Sequence, residues 1–499
     1  MSVTTTEADA VVLRNYIDGR WVAAAAGATL ADRNPATGEL LGRVPLSGAD
    51  DVDLAVAAAR RAQPAWRDTP PQERARVLMR VRDVLDEHRD ELAGLVTRDM
   101  GKTLADAFAE VGRGIESVEA ACAGPHLLKG ENLEGVARGV DVDLVRQPVG
   151  VVAAITPFNF PIMIPLWFLP FALAAGNTFV LKPSEQDPLA ARRLCELLAT
   201  VGELPGGVVN LVHGGREAVD ALLVHPEVDA VSFVGSAATA RHVATVASAH
   251  GKRVQALGGA KNAIIVMPDA DPDLMVGGVL GSAFGAAGQR CLAGSVAVLV
   301  GTPAEQDAAR ARIVRAAGEL RTGDGADPAT DVCPVVTPAS RERLELEVQR
   351  ALEEGAELAL DGRIGGGAGG ALLAPTILDR VAPESRAARE ELFGPLLCLL
   401  RADDLGAAID WCNASRYGNS AIIFTRSGAA AREFRHRIEA GMLGVNVGVA
   451  APVAWFPFAG WKDSFDGDLH ANGRDAIDFY TRKKVVTSRW SGEPLGGPG

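Results

Sequence analysis

Val151-Val152-Ala153-Ala154-Ile155-Thr156-Pro157-Phe158-Asn159-Phe160-Pro161 is the stretch on which the reading of the fold turns. Its first five residues are an unbroken apolar run rich in β-branched side chains, the pattern of a strand buried on both faces in a parallel sheet. The segment after it, Phe160 to Ala175, is almost wholly apolar, yet it holds Pro161, Pro165 and Pro170 and is shorter than the ~20 residues a membrane span needs. It reads as a buried helix. Outward from there the strand pattern recurs at Thr178-Phe179-Val180-Leu181, Val208-Val209-Asn210-Leu211-Val212 and Ala230-Val231-Ser232-Phe233-Val234, with helical stretches such as Leu189 to Val201 between. Strand–helix alternation of this kind predicts a doubly wound α/β unit that binds ligands beyond the carboxyl ends of its strands.

Past Leu257 a second α/β segment is expected, with strands at Ala263 to Val266 and Val296 to Val300 and helices around Ala308 to Leu320 and Arg341 to Glu354. On the amino-terminal side, Asp18-Gly19 lies between two short strand-like runs, Asn15 to Ile17 and Arg20 to Val22, a hairpin signal. Asp50 and Asp51 are placed to cap a helix running through Val56 and Ala59. A second helix starts after Pro70-Pro71 and carries Val77, Leu78, Val81, Leu85, Leu92 and Leu95 near helical spacing. More helix follows Met100-Gly101-Lys102-Thr103, and Val140 to Arg146 alternates apolar and charged residues as a strand with one wet face would. Gly365, Gly367 and Gly370 form a G-x-G-x-x-G, but no apolar strand runs into it, so no nucleotide site is expected there.

A chain of 499 residues with 48% hydrophobic and 23% charged residues is expected to be a soluble globular protein of two large domains, or two plus a small appendage. Its net charge of −13 and lack of any long basic run exclude nucleic acid as a partner. No membrane partner is expected either. The six cysteines are scattered without a Cys-x-x-Cys pair, which suggests neither a metal site nor a disulfide framework and fits a reducing compartment. Met1 to Asp9 reads as a short solvated tail without a targeting pattern, so the expected location is cytoplasmic.

The candidate nucleophile is Cys291, in Gly288-Gln289-Arg290-Cys291, just after the glycine-rich run Gly277 to Gly285. Flexible small-residue backbone can present a sulfur to a pocket, and the charge of Arg290 next door would favour the reactive thiolate. A free cysteine is also a common buried hydrophobe, so the residue needs company. That company is Thr156 to Pro161, Leu181-Lys182-Pro183-Ser184-Glu185, Phe233-Val234-Gly235-Ser236 and Glu391-Leu392-Phe393-Gly394-Pro395. In this order, over nearly the whole chain, these motifs resemble the aldehyde dehydrogenase superfamily. Gln255-Ala256-Leu257-Gly258-Gly259-Ala260-Lys261-Asn262, Gly444-Val445-Asn446-Val447 and Phe479 to Ser488 look most like its coenzyme A-acylating methylmalonate-semialdehyde dehydrogenase branch.

The resemblance implies an α/β aldehyde dehydrogenase-like fold. Its parts would be a doubly wound NAD-binding domain (residues 1–129 and 150–256), an α/β catalytic domain (257–445) and a small β oligomerisation element (130–149 and 470–492), giving a homodimer or homotetramer. It implies catalytic roles for Cys291 as nucleophile and Asn159, with the Cys291 N–H, as oxyanion hole. Arg113 and Arg290 would bind the carboxylate of a small semialdehyde substrate. NAD would be contacted by Thr156, Phe158, Lys182, Glu185, Gln186, Ser236, Gly258, Glu391 and Phe393, with Glu185 disfavouring a 2′-phosphate. Plainer readings stand beside these: Asn159 as a turn residue, Lys182 as a solvated lysine, Glu391 paired on the surface with Glu390, and Arg113 as an ion-pair partner of Glu110 or Glu116.

Hydrolytic members of the superfamily carry a glutamate where this chain has Ala256. Water needs a base, whereas a thiol of pKa near ~8.5 ionises readily, so coenzyme A is the expected acyl acceptor and co-substrate. The implied reaction is oxidation of malonate or methylmalonate semialdehyde to acetyl- or propionyl-CoA with loss of carbon dioxide. The alternative is a hydrolytic NAD-dependent aldehyde dehydrogenase acting on another semialdehyde. Gln289, Ala263 and the loop Gly448-Val449-Ala450-Ala451-Pro452 depart from the branch's usual residues.

Overall fold

A computed structural model describes residues 11–25 and 27–490. The tail Met1 to Asp9 and the last two residues of the 470–492 element lie outside the described residues. The central sheet has eight strands, of which five are parallel in the spatial order Val209–Leu211, Thr178–Lys182, Val151–Ile155, Ala230–Val234, Arg253–Leu257. The chain winds outward from Val151–Ile155 to one side and then returns to build the other. The topological switch therefore falls beside the stretch that opened the sequence reading. Val151–Ile155, Thr178–Lys182 and Ala230–Val234 are buried along their whole length, as their apolar runs predict. Helix Met163–Ala175 is buried on every side and stops at Gly176, whose φ of 93° only glycine adopts without strain.

Antiparallel strands close both edges of this sheet. On one edge the hairpin Asn15–Ile17/Arg20–Val22 turns at Asp18 (φ 52°) and Gly19 (φ 75°), the paired positive dihedrals that an Asp-Gly turn favours. The other edge is Phe465–Gly467, which returns from the far end of the chain onto Arg253–Leu257. Periodicity within either segment carries no signal for that pairing. The second sheet has seven strands in the order Glu357–Leu360, Thr376–Asp379, Leu396–Ala402, Gly294–Val300, Asn262–Val266, Ser420–Phe424, Met442–Val445, parallel except at the first. A third sheet joins Glu131–Ala137, Val140–Pro148 and Thr481–Arg489, the last two paired antiparallel over nine residues each. Among the described residues no helix is long and apolar enough to cross a membrane.

Three expectations need correction, and one hairpin has to be added. Asp50 and Asp51 do not cap their helix, Ala49–Asp68, which starts from Gly48; the Asp51 carboxylate instead accepts the Ala25 N–H (3.1 Å). The helix after Pro70 is two, Pro71–Glu87 and Arg89–Met100, broken at His88 so that Leu92 and Val96 can face the core while Leu95 is half-exposed. The glycines at 277, 278 and 281 are not flexible backbone: they lie inside helix Pro272–Phe284, where a side chain on Gly278 would overlap the Phe424 ring. The hairpin Thr29–Arg33/Leu40–Pro45 was not foreseen. The glycine loop around Gly367 packs on the amino-terminal segment, the Gly369 N–H bonding the Ala36 carbonyl (3.0 Å).

Tyr480 locks the carboxyl-terminal segment under the central sheet. It is fully buried, its hydroxyl 2.8 Å from Ser232 Oγ and 3.0 Å from Gln255 Nε2. Tyr480→Phe strips both partners of a hydrogen bond and should cost about 1–2 kcal/mol. Urea unfolding followed by circular dichroism checks this; an unshifted midpoint would show that the lock contributes nothing.

Candidate active site

Cys291 is delivered by a helix end and a strained turn. Asp271 caps helix Pro272–Phe284 by accepting the Asp273 and Leu274 N–H groups (both 3.2 Å). The helix runs into the turn Gly285–Gly288, where Ala286 (φ 50°), Ala287 (φ 52°) and Gly288 (φ 67°) are all left-handed. For alanine each such conformation costs roughly 1–2 kcal/mol, so the surroundings must hold it. At Gly288 any Cβ would overlap the Gly394 carbonyl. Asp106 Oδ2 accepts the Ala286 N–H (3.1 Å), and the buried Gln289 accepts the Val336 N–H through Oε1 (2.9 Å). Past the turn, Asn262 and Asn419 donate from Nδ2 to the Cys291 carbonyl at 2.8 and 2.9 Å. The peptide carrying the sulfur is pinned from both sides.

The half-buried Cys291 faces a largely apolar cavity of about 220 Å³ walled by Phe160, Met163, Trp167 and Phe458. Arg113 and Arg290, the two arginines expected at a substrate carboxylate, both reach it. Each has a protein partner: Arg290 Nη2 donates to Asp106 (2.7 Å), and Arg113 Nη1 to Glu116 (2.5 Å) while Nη2 meets the Pro452 carbonyl. The ion-pair reading of Arg113 and its place in the cavity thus both hold. Asn159 is buried, with Nδ2 on the Gln289 carbonyl (3.0 Å), two residues before the sulfur. A primary amide has a second N–H to give.

The Asn159 loop rests on an ion pair that sequence reading missed. Lys102 Nζ donates to Glu110 (2.5 Å) and to the Asn159 carbonyl (2.8 Å), with both charged side chains fully buried. The other Glu110 oxygen accepts the N–H groups of Ile162 and Met163 (3.0 and 3.2 Å), which open helix Met163–Ala175. The available signal was the spacing of Asp106, Glu110, Arg113 and Ser117 along one helical face, all of them at the cavity.

Arg290 favours the Cys291 thiolate, as expected, but is outweighed. Burial, then the negative charge of Glu391, push the Cys291 thiol up to about 12; the N–H groups of Cys291 and Leu292 and the charge of Arg290 only partly offset them. Arg290 is weak here because its charge is already matched by Asp106. Glu391 is itself pushed up to about 7 by burial, against the pull of the Ala260 N–H it accepts (3.0 Å) and of the charges on Lys261 and Arg343. It is not the surface partner of Glu390.

A second cleft of about 670 Å³ lies at the topological switch of the central sheet. It gathers Thr156, Phe158, Lys182, Glu185, Gln186 and Ser236 from the carboxyl ends of three strands. Lys182 is buried and bonds Glu185 (2.9 Å) at the cleft. The Ser236 hydroxyl caps helix Ala237–Ala249 through Thr239, and that helix opens its amino end to the cleft. Phe393, held at φ 59°, sets its ring edge-on to Phe158 (centroids 5.7 Å, 84°), which bridges the cleft wall to the Glu391 segment. Gly258 lies outside the cleft lining; its N–H bonds the Ser464 carbonyl (2.8 Å), and an added Cβ would press on the Asp463 carbonyl. Ala256 is wholly buried in strand Arg253–Leu257, beside Phe233. Among the described residues no group of three or more His, Cys, Asp or Glu is arranged to hold a metal ion.

A sheet with this switch-point cleft, joined to a second domain that presents a cysteine, defines the class. The chain belongs to the aldehyde dehydrogenase family, whose model matches residues 21–486. It is 50% identical over 492 residues to malonate-semialdehyde dehydrogenase 1 of Geobacillus kaustophilus, covering 98% of this chain and 100% of that one. Among solved structures it matches methylmalonate-semialdehyde dehydrogenase from Oceanimonas doudoroffii with a TM-score of 0.94 and 46% identity, over 97% of this chain and 99% of that one. A Sinorhizobium meliloti chain provisionally named methylmalonate-semialdehyde dehydrogenase and solved with NAD matches with a TM-score of 0.95 and 44% identity, over 97% and 99%.

The raised thiol has a direct signature. In the ligand-free protein, alkylation of Cys291 by iodoacetamide should climb about tenfold per pH unit from pH 7 to 10, with no plateau near ~8.5. Glu391→Gln removes a charge that opposes the thiolate and should speed the reaction several-fold at pH 8.5. Peptide mass spectrometry at Cys291 reads both; a plateau below pH 9 would overturn the assignment.

Proposed function

We propose that the protein is an NAD-dependent, coenzyme A-acylating dehydrogenase of malonate or methylmalonate semialdehyde, releasing carbon dioxide and acetyl- or propionyl-CoA. The observation that carries this is Cys291 opening on an apolar cavity that holds Arg113 and Arg290, with Ala256 where a water-activating carboxylate would stand. The similarity to named malonate- and methylmalonate-semialdehyde dehydrogenases supports the same substrate class.

Cys291 adds to the aldehyde carbon, and the developing oxyanion is taken by the Asn159 amide and the Cys291 N–H. Arg113 and Arg290 orient the substrate carboxylate. The residues of the switch-point cleft fit a dinucleotide: a helix amino end for the pyrophosphate beside Ser236, and Lys182 with Glu185 for the ribose hydroxyls, the Glu185 carboxylate repelling a 2′-phosphate. Thr156, Phe158 and Gln186 complete that wall. Glu391 and Phe393 serve the nicotinamide end, and Gly258 is a further cofactor contact. NAD, when bound, supplies the hydride acceptor. The thioester left on Cys291 then passes to coenzyme A, because its thiol ionises without the base that water would need. One observation favours the hydrolytic rival: Glu391, held near 7 and close enough to perturb Cys291, has the right proton affinity for a base.

We assign residues 1–129 and 150–256 to the NAD-binding domain, 257–445 to the catalytic domain, and 130–149 with 470–492 to oligomerisation. The three-stranded sheet of that last element exposes Leu133, Val136, Val145 and Val485, which supports a homodimer or homotetramer. All six cysteines are free, in keeping with a cytoplasmic setting.

The test is NADH formation from methylmalonate semialdehyde with and without coenzyme A, with the product identified. A strong dependence on coenzyme A and formation of propionyl-CoA is expected; equal rates and a free acid would hand the assignment to the hydrolytic rival. Cys291→Ala should abolish turnover and leave NAD binding intact by calorimetry.

A further inference from the structure

Two carboxylates on helix Leu104–Ala121, Asp106 in the lining of the Cys291 cavity and Glu116 behind Arg113 of that lining, make the same double contact. Asp106 accepts Arg290 Nη2 through Oδ1 (2.7 Å) and the Ala286 N–H through Oδ2 (3.1 Å). Glu116 accepts Arg113 Nη1 through Oε2 (2.5 Å) and the Ala454 N–H through Oε1 (3.2 Å). Each carboxylate therefore ties one arginine of the cavity to nearby backbone, at the turn before Cys291 in one case and at the cavity-lining Ala454 in the other. Each guanidinium also has one carbonyl anchor, Gly281 for Arg290 (3.3 Å) and Pro452 for Arg113. A free arginine side chain samples many rotamers, and fixing it in advance removes that cost from ligand binding. A guanidinium has five N–H donors, so these anchors leave others for a ligand. The paired charges also make both arginines tolerable beside a largely apolar cavity.

We propose that Asp106 and Glu116 are positioning residues that hold Arg290 and Arg113 as a preset fork for the carboxylate of an acidic aldehyde, and so set the selectivity of the site. The proposal rests on the acidic-semialdehyde reading given above. It goes further in assigning selectivity to two residues that act through the arginines.

Asp106→Asn and Glu116→Gln separate this role from simple support. In each, the amide oxygen can still accept the backbone N–H, while the amide NH₂ turns a donor toward the guanidinium and releases it. Steady-state rates with NAD and coenzyme A are compared for malonate semialdehyde and for propanal, which lacks the carboxylate. The expected result is a KM for malonate semialdehyde raised about tenfold in each variant, the scale of one lost charge-assisted contact, with propanal kinetics within threefold of wild type in Glu116→Gln, whose carboxylate does not touch the turn before Cys291. Asp106→Glu, which keeps a charge for Arg290, should recover part of the loss. Equal losses on both aldehydes would reduce Asp106 and Glu116 to structural supports and overturn the proposal. A selective wild type whose selectivity survives both amide changes would overturn it alone. A wild type that uses propanal as well as the acidic aldehyde would overturn the acidic-substrate reading and the proposal with it. Glu116→Gln gives an independent answer should Asp106→Asn fail to fold, since it touches the other arginine and a different backbone segment, at Ala454.

Discussion

The left-handed turn at Ala286, Ala287 and Gly288 is the constraint the catalytic end of the molecule depends on. Alanine resists that conformation, so the turn persists only because neighbours from several elements hold it. Asp106 takes the Ala286 N–H from one side, and Gly394 presses so closely on Gly288 that no side chain fits between them. Immediately beyond, two buried asparagines from the second sheet's strand ends fix the Cys291 carbonyl. A cysteine on a loose loop would sample many orientations; this one is held in a single orientation by the fold.

Helix Leu104–Ala121 organises the other half of the site. Its buried partner Lys102 and its own Glu110 form an ion pair with no access to water, and such pairs stabilise only when their remaining hydrogen-bonding capacity is met. Here it is met by backbone that matters: the Asn159 carbonyl and the first N–H groups of helix Met163–Ala175. The Lys102 ammonium also sits 4.1 Å from the centre of the Phe160 ring, on the cavity wall. One helix thus supports the loop of Asn159, the turn before Cys291 and both arginines.

The two cavities divide the chemistry by physical character. The switch-point cleft is edged by charged and hydroxylic groups at strand and helix ends, where backbone dipoles and side chains suit a polar, phosphorylated ligand. The Cys291 cavity is largely apolar apart from its paired charges, and burial there raises the thiol. Phe158 and Phe393 stand in edge-on contact between the cleft wall and the Glu391 segment.

Much was legible in the sequence because it was local. Apolar runs of strand length marked the buried parallel strands, Asp18-Gly19 marked its hairpin, and short motifs at strand ends marked Thr156, Lys182, Glu185 and Ser236, which the cleft gathers. What stayed hidden depends on distance in sequence rather than on pattern. The return of Phe465–Gly467 to the central sheet, the pinning of Cys291 by Asn262 and Asn419, and the bracing of Asn159 by Lys102 all join residues that no periodicity relates. The protonation of Cys291 belongs with these. Its neighbour in sequence is a cation that favours the thiolate, but burial and a carboxylate from far along the chain outweigh it. The sequence determined which chemical groups are available and the local elements that carry them. Only tertiary packing decided their charge states and mutual orientation, because desolvation and electrostatics follow distance in space.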